Sequence, residues 1–154
     1  MIARKAYKFR LKTNAEQAAQ LRCFAGHCRF VWNKVLAEQK ARLDNGQSCE
    51  RYNAFAKHLP VWKASPEFEW LKEAPAAALQ QKLMDLDRAI KDAFDKKQPD
   101  KGFPKFKKRG CGDSFRIPQP SQFKVEGNRI QLPKLGWIRF FKCQDTQGAP
   151  KQVS

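Results

Sequence analysis

The sequence predicts an α+β fold, with strands near both ends of the chain and helices between them. Three observations carry that expectation. Residues 7–12 alternate apolar and cationic side chains, the middle of the chain repeats apolar residues at helical spacing, and the last third is broken by Gly and Pro into short strand-length pieces. At 154 residues with 42% hydrophobic content, the chain is long enough to bury one modest core.

In Tyr7-Lys8-Phe9-Arg10-Leu11-Lys12 the alternation marks a strand with one face on a core and the other wet and positive. Thr13 with Glu16 three residues on is a capping-box signature, opening a helix towards Ala25 with Leu21 and Phe24 inward. Gly26 separates this from a second helix, on which Cys28, Val31 and Val35 continue the apolar face from Phe24 until Asp44-Asn45-Gly46. A shorter helix is expected over 50–59. Pro60, Pro66 and Pro75 punctuate the next stretch, and from about Pro75 a long helix carries Leu79, Leu83, Leu86, Ile90 and Phe94. That stripe spans little more than two heptads, so it is expected to pack on the preceding helices and not to form a free zipper. Asp85, Asp87, Asp92 and Asp95 lie beside Lys82, Arg88, Lys91 and Lys96 on the same helix, the pattern of a salt-bridged exterior.

From Gln98 the Gly and Pro content rules out helix. Strand candidates lie at 114–117, 122–125, 129–132 and 136–141, and Glu126-Gly127-Asn128 supplies the turn of a hairpin.

Charge respects the same boundaries. Lys and Arg number 31 against 15 Asp and Glu, a net charge of +16. Residues 1–12 hold five cations and no acid, residues 13–95 twelve cations and eleven acids, and residues 96–143 thirteen cations and three acids. An excess this large, confined to two flanking segments, suits a polyanionic partner that relieves the self-repulsion. In Lys101-Gly102-Phe103-Pro104-Lys105-Phe106-Lys107-Lys108-Arg109-Gly110 rings interleave with cations, as suits phosphate contacts with occasional stacking.

Other classes fit poorly. No apolar run approaches the ~20 residues that span a bilayer, so no membrane partner is expected and the protein is expected in the cytoplasm. Five cysteines without a CxxC pair suit reduced thiols. Cys23, His27 and Cys28 match no standard zinc spacing, and buried thiols with a surface histidine are expected there. His27 and His58 have no nucleophile elbow beside them, and the acids after residue 98 stand singly, so neither a triad nor a two-metal site is expected. No cofactor, metal or small-molecule substrate is expected.

Five stretches occur in order: Lys5-Ala6-Tyr7-Lys8-Phe9-Arg10-Leu11; Arg29-Phe30-Val31-Trp32-Asn33; Ala78-Leu79-Gln80-Gln81 with Leu86-Asp87-Arg88-Ala89; Gly102-Phe103-Pro104-Lys105-Phe106-Lys107; and Leu132-Pro133-Lys134-Leu135-Gly136-Trp137-Ile138. Taken together they resemble the TnpB (OrfB) family of transposon-encoded RNA-guided nucleases. The resemblance implies a partial β-barrel-like wedge domain split by an inserted helical bundle. Residues 1–12 would be its first strand, 13–97 the insert and 98–154 the remainder, incomplete at its end. It further implies binding of a guide-like RNA, of DNA, or of both. The RuvC carboxylates and zinc-binding cysteines of the family do not occur in these residues, so a nucleic-acid-binding part without cleavage of its own is expected.

The expected nucleic-acid contacts are Lys8, Arg10, Lys105, Lys107, Lys108, Arg109 and Arg116, with Phe103 and Phe106 divided between stacking and core. Two other readings stand beside this one. In the first, 26–43 is a recognition helix offering Arg29, Asn33, Lys34 and Lys40 to duplex DNA. In the second, the chain is a non-functional remnant.

Overall fold

A computed structural model describes residues 2–154; Met1, within the expected first-strand segment, lies outside the described residues. The elements in order are β1 (Arg10–Lys12), α1 (Ala15–Asp44), α2 (Tyr52–Ala64), a 3₁₀ turn (Glu69–Glu73), α3 (Ala76–Ala93), a second 3₁₀ turn (Pro120–Gln122), β2 (Lys124–Glu126), β3 (Arg129–Leu132) and β4 (Gly136–Phe141). The fold is α+β. Its strands form one antiparallel sheet of order β1-β4-β3-β2, which is open and not a closed barrel.

β1 is shorter than the alternation predicts, because its partner runs out. Arg10 pairs with Phe141, the last residue of β4. Ahead of Arg10 the chain is held by rings instead, Phe9 stacking on Phe140 at 5.0 Å and Tyr7 on Phe9 at 6.3 Å.

The capping box falls one residue later than Thr13. Asn14 accepts from the Gln17 backbone at 2.8 Å, and the Gln17 side chain accepts from the Asn14 N–H at 3.1 Å. From there α1 runs unbroken through Gly26 for 30 residues, about 45 Å. One helix replaces the expected two. A mid-helix glycine costs only about 1 kcal/mol, and the continuous face of Phe24, Cys28, Val31, Val35 and Leu36 that it joins is buried against the rest of the core.

α2 likewise runs past Pro60. Proline there removes the hydrogen bond to the Ala56 carbonyl, yet one further turn brings Trp62 into the core. α3 starts after Pro75 as expected, with Leu79, Leu83, Leu86 and Ile90 buried, whereas Phe94 is 60% exposed beyond its end.

The acids of α3 do not pair along their own helix. Asp87 holds Arg51 at 2.7 Å, Asp85 holds Arg116 at 2.7 Å and Asp92 holds Lys101 at 2.8 Å. Bound cations from α2 and the later loops therefore replace the expected i,i+4 pattern. His27, expected at the surface, is buried with Trp70 packed on it at 4.7 Å, and burial lowers its pKa.

In the last third, β3 and β4 fall where the alternation puts them. The β2–β3 hairpin closes through Gly127 and Asn128, with Glu126 paired to Arg129 and Gly127 at φ +57°. The candidate at 114–117 reduces to a single bridge from Ile117 to Val153.

Candidate nucleic-acid interface

The sheet has one apolar and one cationic face, and the register decides which residues share each. Leu11, Phe140, Ile138, Ile130 and Leu132 alternate inward, joining Phe123 in the core. The opposite face then carries Lys12, Arg139, Arg129 and Glu126 in one row, because Lys12 pairs with Arg139, Arg139 with Arg129 and Arg129 with Glu126. A second row holds Arg10 with Phe141, and a third holds Trp137 with Gln131 and Lys124.

Cations directly opposite one another on adjacent strands repel. Within this face Arg129 finds relief at Glu126, 3.0 Å away, and over the Trp137 ring at 4.4 Å. Lys12 and Arg139 have no acidic partner among the described residues. Beside them opens a groove of about 380 Å³ lined by Lys12, Thr13, Asn14, Gln17, Trp137 and Arg139. Gln17 ties the first turn of α1 to this place by donating to the Trp137 carbonyl at 3.3 Å. Phe141 is 53% exposed on the same face. The result is a cationic surface with one exposed ring, Phe141, and a half-buried one, Trp137, a combination suited to holding a single strand through phosphate contact and stacking.

A second cationic segment is clamped onto the middle of α1. Trp32 donates its indole N–H to the Lys105 carbonyl at 3.0 Å, and the Asn33 carboxamide both donates to the Lys107 carbonyl at 2.9 Å and accepts from the Lys107 N–H at 2.8 Å. Asn33 thus satisfies an extended backbone as a neighbouring strand would. Farther along, Asp113 accepts from Arg29 at 2.5 Å and from the Gly110 N–H at 2.9 Å; the Gly110 bond, with Arg29 adding to it, lowers the Asp113 pKa. The segment 105–113 is therefore held by its main chain and by Asp113, which leaves Lys105, Lys108 and Arg109 exposed.

The expected contacts divide accordingly. Arg10 stands on the sheet's cationic face and Lys8 is exposed just ahead of it. Lys105, Lys108 and Arg109 stand exposed on the clamped segment, and Phe106 is 47% exposed with the Lys40 ammonium over its ring at 4.5 Å. Lys107, Phe103 and Arg116 are turned to internal contacts. The Lys107 ammonium lies over Trp32 at 4.2 Å, and burial first, then the charge of Lys82, lowers its pKa. Phe103 packs on the core and on Phe94, with ring centres 6.1 Å apart. Arg116 is spent on Asp85, with its Nε buried and unpartnered. The two cationic places lie on one helix, Asn33 being sixteen residues beyond Gln17, roughly 24 Å along its axis.

Sequence reasoning missed Lys12, Lys124, Arg129, Trp137, Arg139 and Phe141. Their parity was readable in 129–132 and 136–141; that β1 joins β4, and so completes the row, was not. The proposed recognition side chains on α1 are engaged within the chain. Arg29 binds Asp113, Asn33 binds Lys107, and Lys34 lies over Trp62 and Phe68 at 5.4 and 5.1 Å.

Comparison with known proteins adds a lineage to this geometry. A family model described as a helix-turn-helix domain, of the OrfB kind, matches residues 1–48. Within that stretch the structure has β1 and the single helix α1. The protein named RNA-guided DNA endonuclease InsQ from Escherichia coli (strain K12) is 43% identical over 149 residues, which is 97% of this chain and 36% of that protein. An RNA-guided DNA endonuclease from Streptomyces pristinaespiralis is 31% identical over 85% of this chain and 32% of its own length. The virulence protein VsdF of Salmonella dublin is 30% identical over 68% of this chain and 93% of its own length. The chain thus spans about a third of the two endonucleases it matches.

Proposed function

This chain belongs to the TnpB (OrfB) family, and from that membership we propose that its residues are the nucleic-acid-holding part of an RNA-guided DNA endonuclease, with guide-like RNA as the first partner and DNA as the second. Phosphates bind along Lys12, Arg139 and Arg10 on the sheet and along Lys105, Lys108 and Arg109 on the clamped segment. Trp137 and Phe141 stack on bases. The open sheet is one part of a β-barrel-like wedge domain into which 13–97 is inserted. These residues position nucleic acid and supply no catalytic group.

The observation that carries this reading is the unrelieved row of Lys12 and Arg139 across two paired strands. A folded protein keeps like charges facing one another across a ladder at a cost in stability, and a bound polyphosphate turns that cost into affinity. The Arg29-Phe30-Val31-Trp32-Asn33 stretch supports it, since Trp32 and Asn33 fix the backbone of the second cationic segment.

The helix-turn-helix match favours a second reading, in which the chain binds duplex DNA. Competition binding separates the two. The RNA reading predicts that unlabelled structured RNA displaces a labelled RNA at lower concentration than any duplex of equal length. One duplex sequence outcompeting all RNAs would establish the second reading. Replacing Lys105, Lys108 and Arg109 with Ala should also shallow the salt dependence of RNA binding, and an unchanged slope counts against the role given to that segment.

A further inference from the structure

A cluster of unlike donor atoms lies away from both cationic places, where α1 meets the 3₁₀ turn before α3. Cys23 and His27 are four residues apart on α1, so both side chains project from one face of the helix. Glu73 closes the 3₁₀ turn and comes to the same point from fifty residues on. Cys23 Sγ is 3.4 Å from His27 Nε2 and 3.7 Å from Glu73 Oε2, and the three donor atoms lie within 4.8 Å of one another.

We propose that Cys23, His27 and Glu73 form a site for one divalent, zinc-class metal ion that staples α1 to the turn before α3. Zinc takes sulfur at about 2.3 Å and imidazole nitrogen at about 2.0–2.1 Å, so a tetrahedral ion places those two atoms roughly 3.5 Å apart. The Cys23–His27 separation already matches that edge, and so does Cys23–Glu73 within a few tenths of an ångström. Thiolate, imidazole and carboxylate together select a borderline metal over magnesium or calcium, which take all-oxygen sets. Trp70 covers the ring of His27 at 4.7 Å and fixes its plane. Glu73 is exposed, which leaves a fourth position open to water. Cys28, though adjacent in sequence, is fully buried on the side facing Lys82 and Asp85 of α3, its thiol pushed up to about 12 by burial, and takes no part.

The site is independent of the nucleic-acid reading, and its test uses no nucleic acid. The full chain, stripped by a chelator, is titrated with Zn²⁺ against a chromophoric competitor, and with Co²⁺ to read the thiolate-to-cobalt absorption band. One equivalent is expected to bind. Cys23→Ser and Glu73→Gln should each weaken binding by at least ~10-fold, as loss of a metal's supporting groups does, and Cys23→Ser should abolish the band. The pair Cys111→Ser with Cys143→Ser removes the two exposed thiols and should change neither. Because Glu73 is exposed, Glu73→Gln keeps the fold, which circular dichroism verifies; at one zinc concentration Zn²⁺ should raise the unfolding temperature of the parent chain more than that of Glu73→Gln. No stoichiometric binding to the parent, equal binding by every variant, or loss confined to the Cys111 and Cys143 pair would each overturn the site.

Discussion

The helical part and the sheet treat charge in opposite ways. Around α3 every acid that faces the rest of the chain holds a cation from a distant element: Asp85 with Arg116, Asp87 with Arg51, Asp92 with Lys101. On the outer face of the sheet the register instead lines Lys12 against Arg139 and Arg139 against Arg129, with Glu126 alone to offset them at the edge. Charge in the first region is consumed in fixing loops to helices. In the second, Lys12 and Arg139 have no acidic partner among the described residues. Net charge follows the same division, with twelve cations against eleven acids over 13–95 and a large excess on either side, but only the pairing shows which cations are engaged.

Substitutions should therefore act in opposite directions in the two regions. The largest effect belongs to the helical core. Leu83→Ala, at a position with no solvent exposure, should lower unfolding stability by about 2–5 kcal/mol, read from the shift in denaturant midpoint. At temperatures where the variant remains folded, the salt slope of RNA binding should stay unchanged. If core truncation alters that slope, the two regions are not separable in the way the pairing suggests.

Next comes the joint between them. Asn33→Ala removes two hydrogen bonds to the Lys107 main chain and strands both backbone groups, at a cost of about 1–3 kcal/mol. Proteolysis should then cut first within 101–113. Protection equal to that of the parent chain would mean that the segment is held by other contacts.

A smaller effect of opposite sign is expected on the sheet. Arg139→Ala removes the cation that faces both Lys12 and Arg129, and cross-strand like-charge relief is worth roughly 0.2–1 kcal/mol. Stability should hold or rise slightly while RNA affinity falls. A loss of stability there would show that Arg139 is structural.

How far each region could be read from sequence depends on the range of its interactions. β3, β4 and the β2–β3 hairpin were legible because alternation and Gly127-Asn128 are local signals. The start of α3 after Pro75 was legible for the same reason. Gly26 misled, since the continuity of α1 is settled by what Phe24, Val31 and Val35 pack against and not by the propensity of one residue. That Lys105, Lys108, Arg109 and Arg10 belong to cation-rich stretches was legible from composition, and all four are exposed. The resemblance implied that the first strand joins the later ones in one domain, but the row of Lys12, Arg139 and Arg129 was not legible, because it depends on the β1–β4 register. Arg116 and Lys107 looked like phosphate contacts for want of their partners, Asp85 at 31 residues' remove and Trp32 on α1.

The smallest effect lies in the acid range. Asp87 accepts from the Arg51 side chain and the Tyr52 N–H; the Arg51 bond, more than any other cause, holds its carboxyl below its ordinary 3.8. A carboxyl whose folded pKa is depressed contributes stability above its unfolded pKa and loses it as pH falls through the folded one. Acid unfolding curves of Asp87→Asn should thus lie below those of the parent chain at neutral pH and converge with them as pH falls past the ordinary 3.8 and through the depressed folded-state value. Parallel curves throughout would remove Asp87 from the acid response.

The distinction between consumed and available charge is tested most directly by the salt dependence of RNA binding in a chain carrying Arg10→Ala, Lys12→Ala and Arg139→Ala. If those cations meet phosphates, the slope of log affinity against log salt should fall by up to about 2, at ~0.7 per contact on a single strand, with the unfolding midpoint unchanged or higher. A slope equal to that of the parent chain, in a variant that folds as well, would contradict the account.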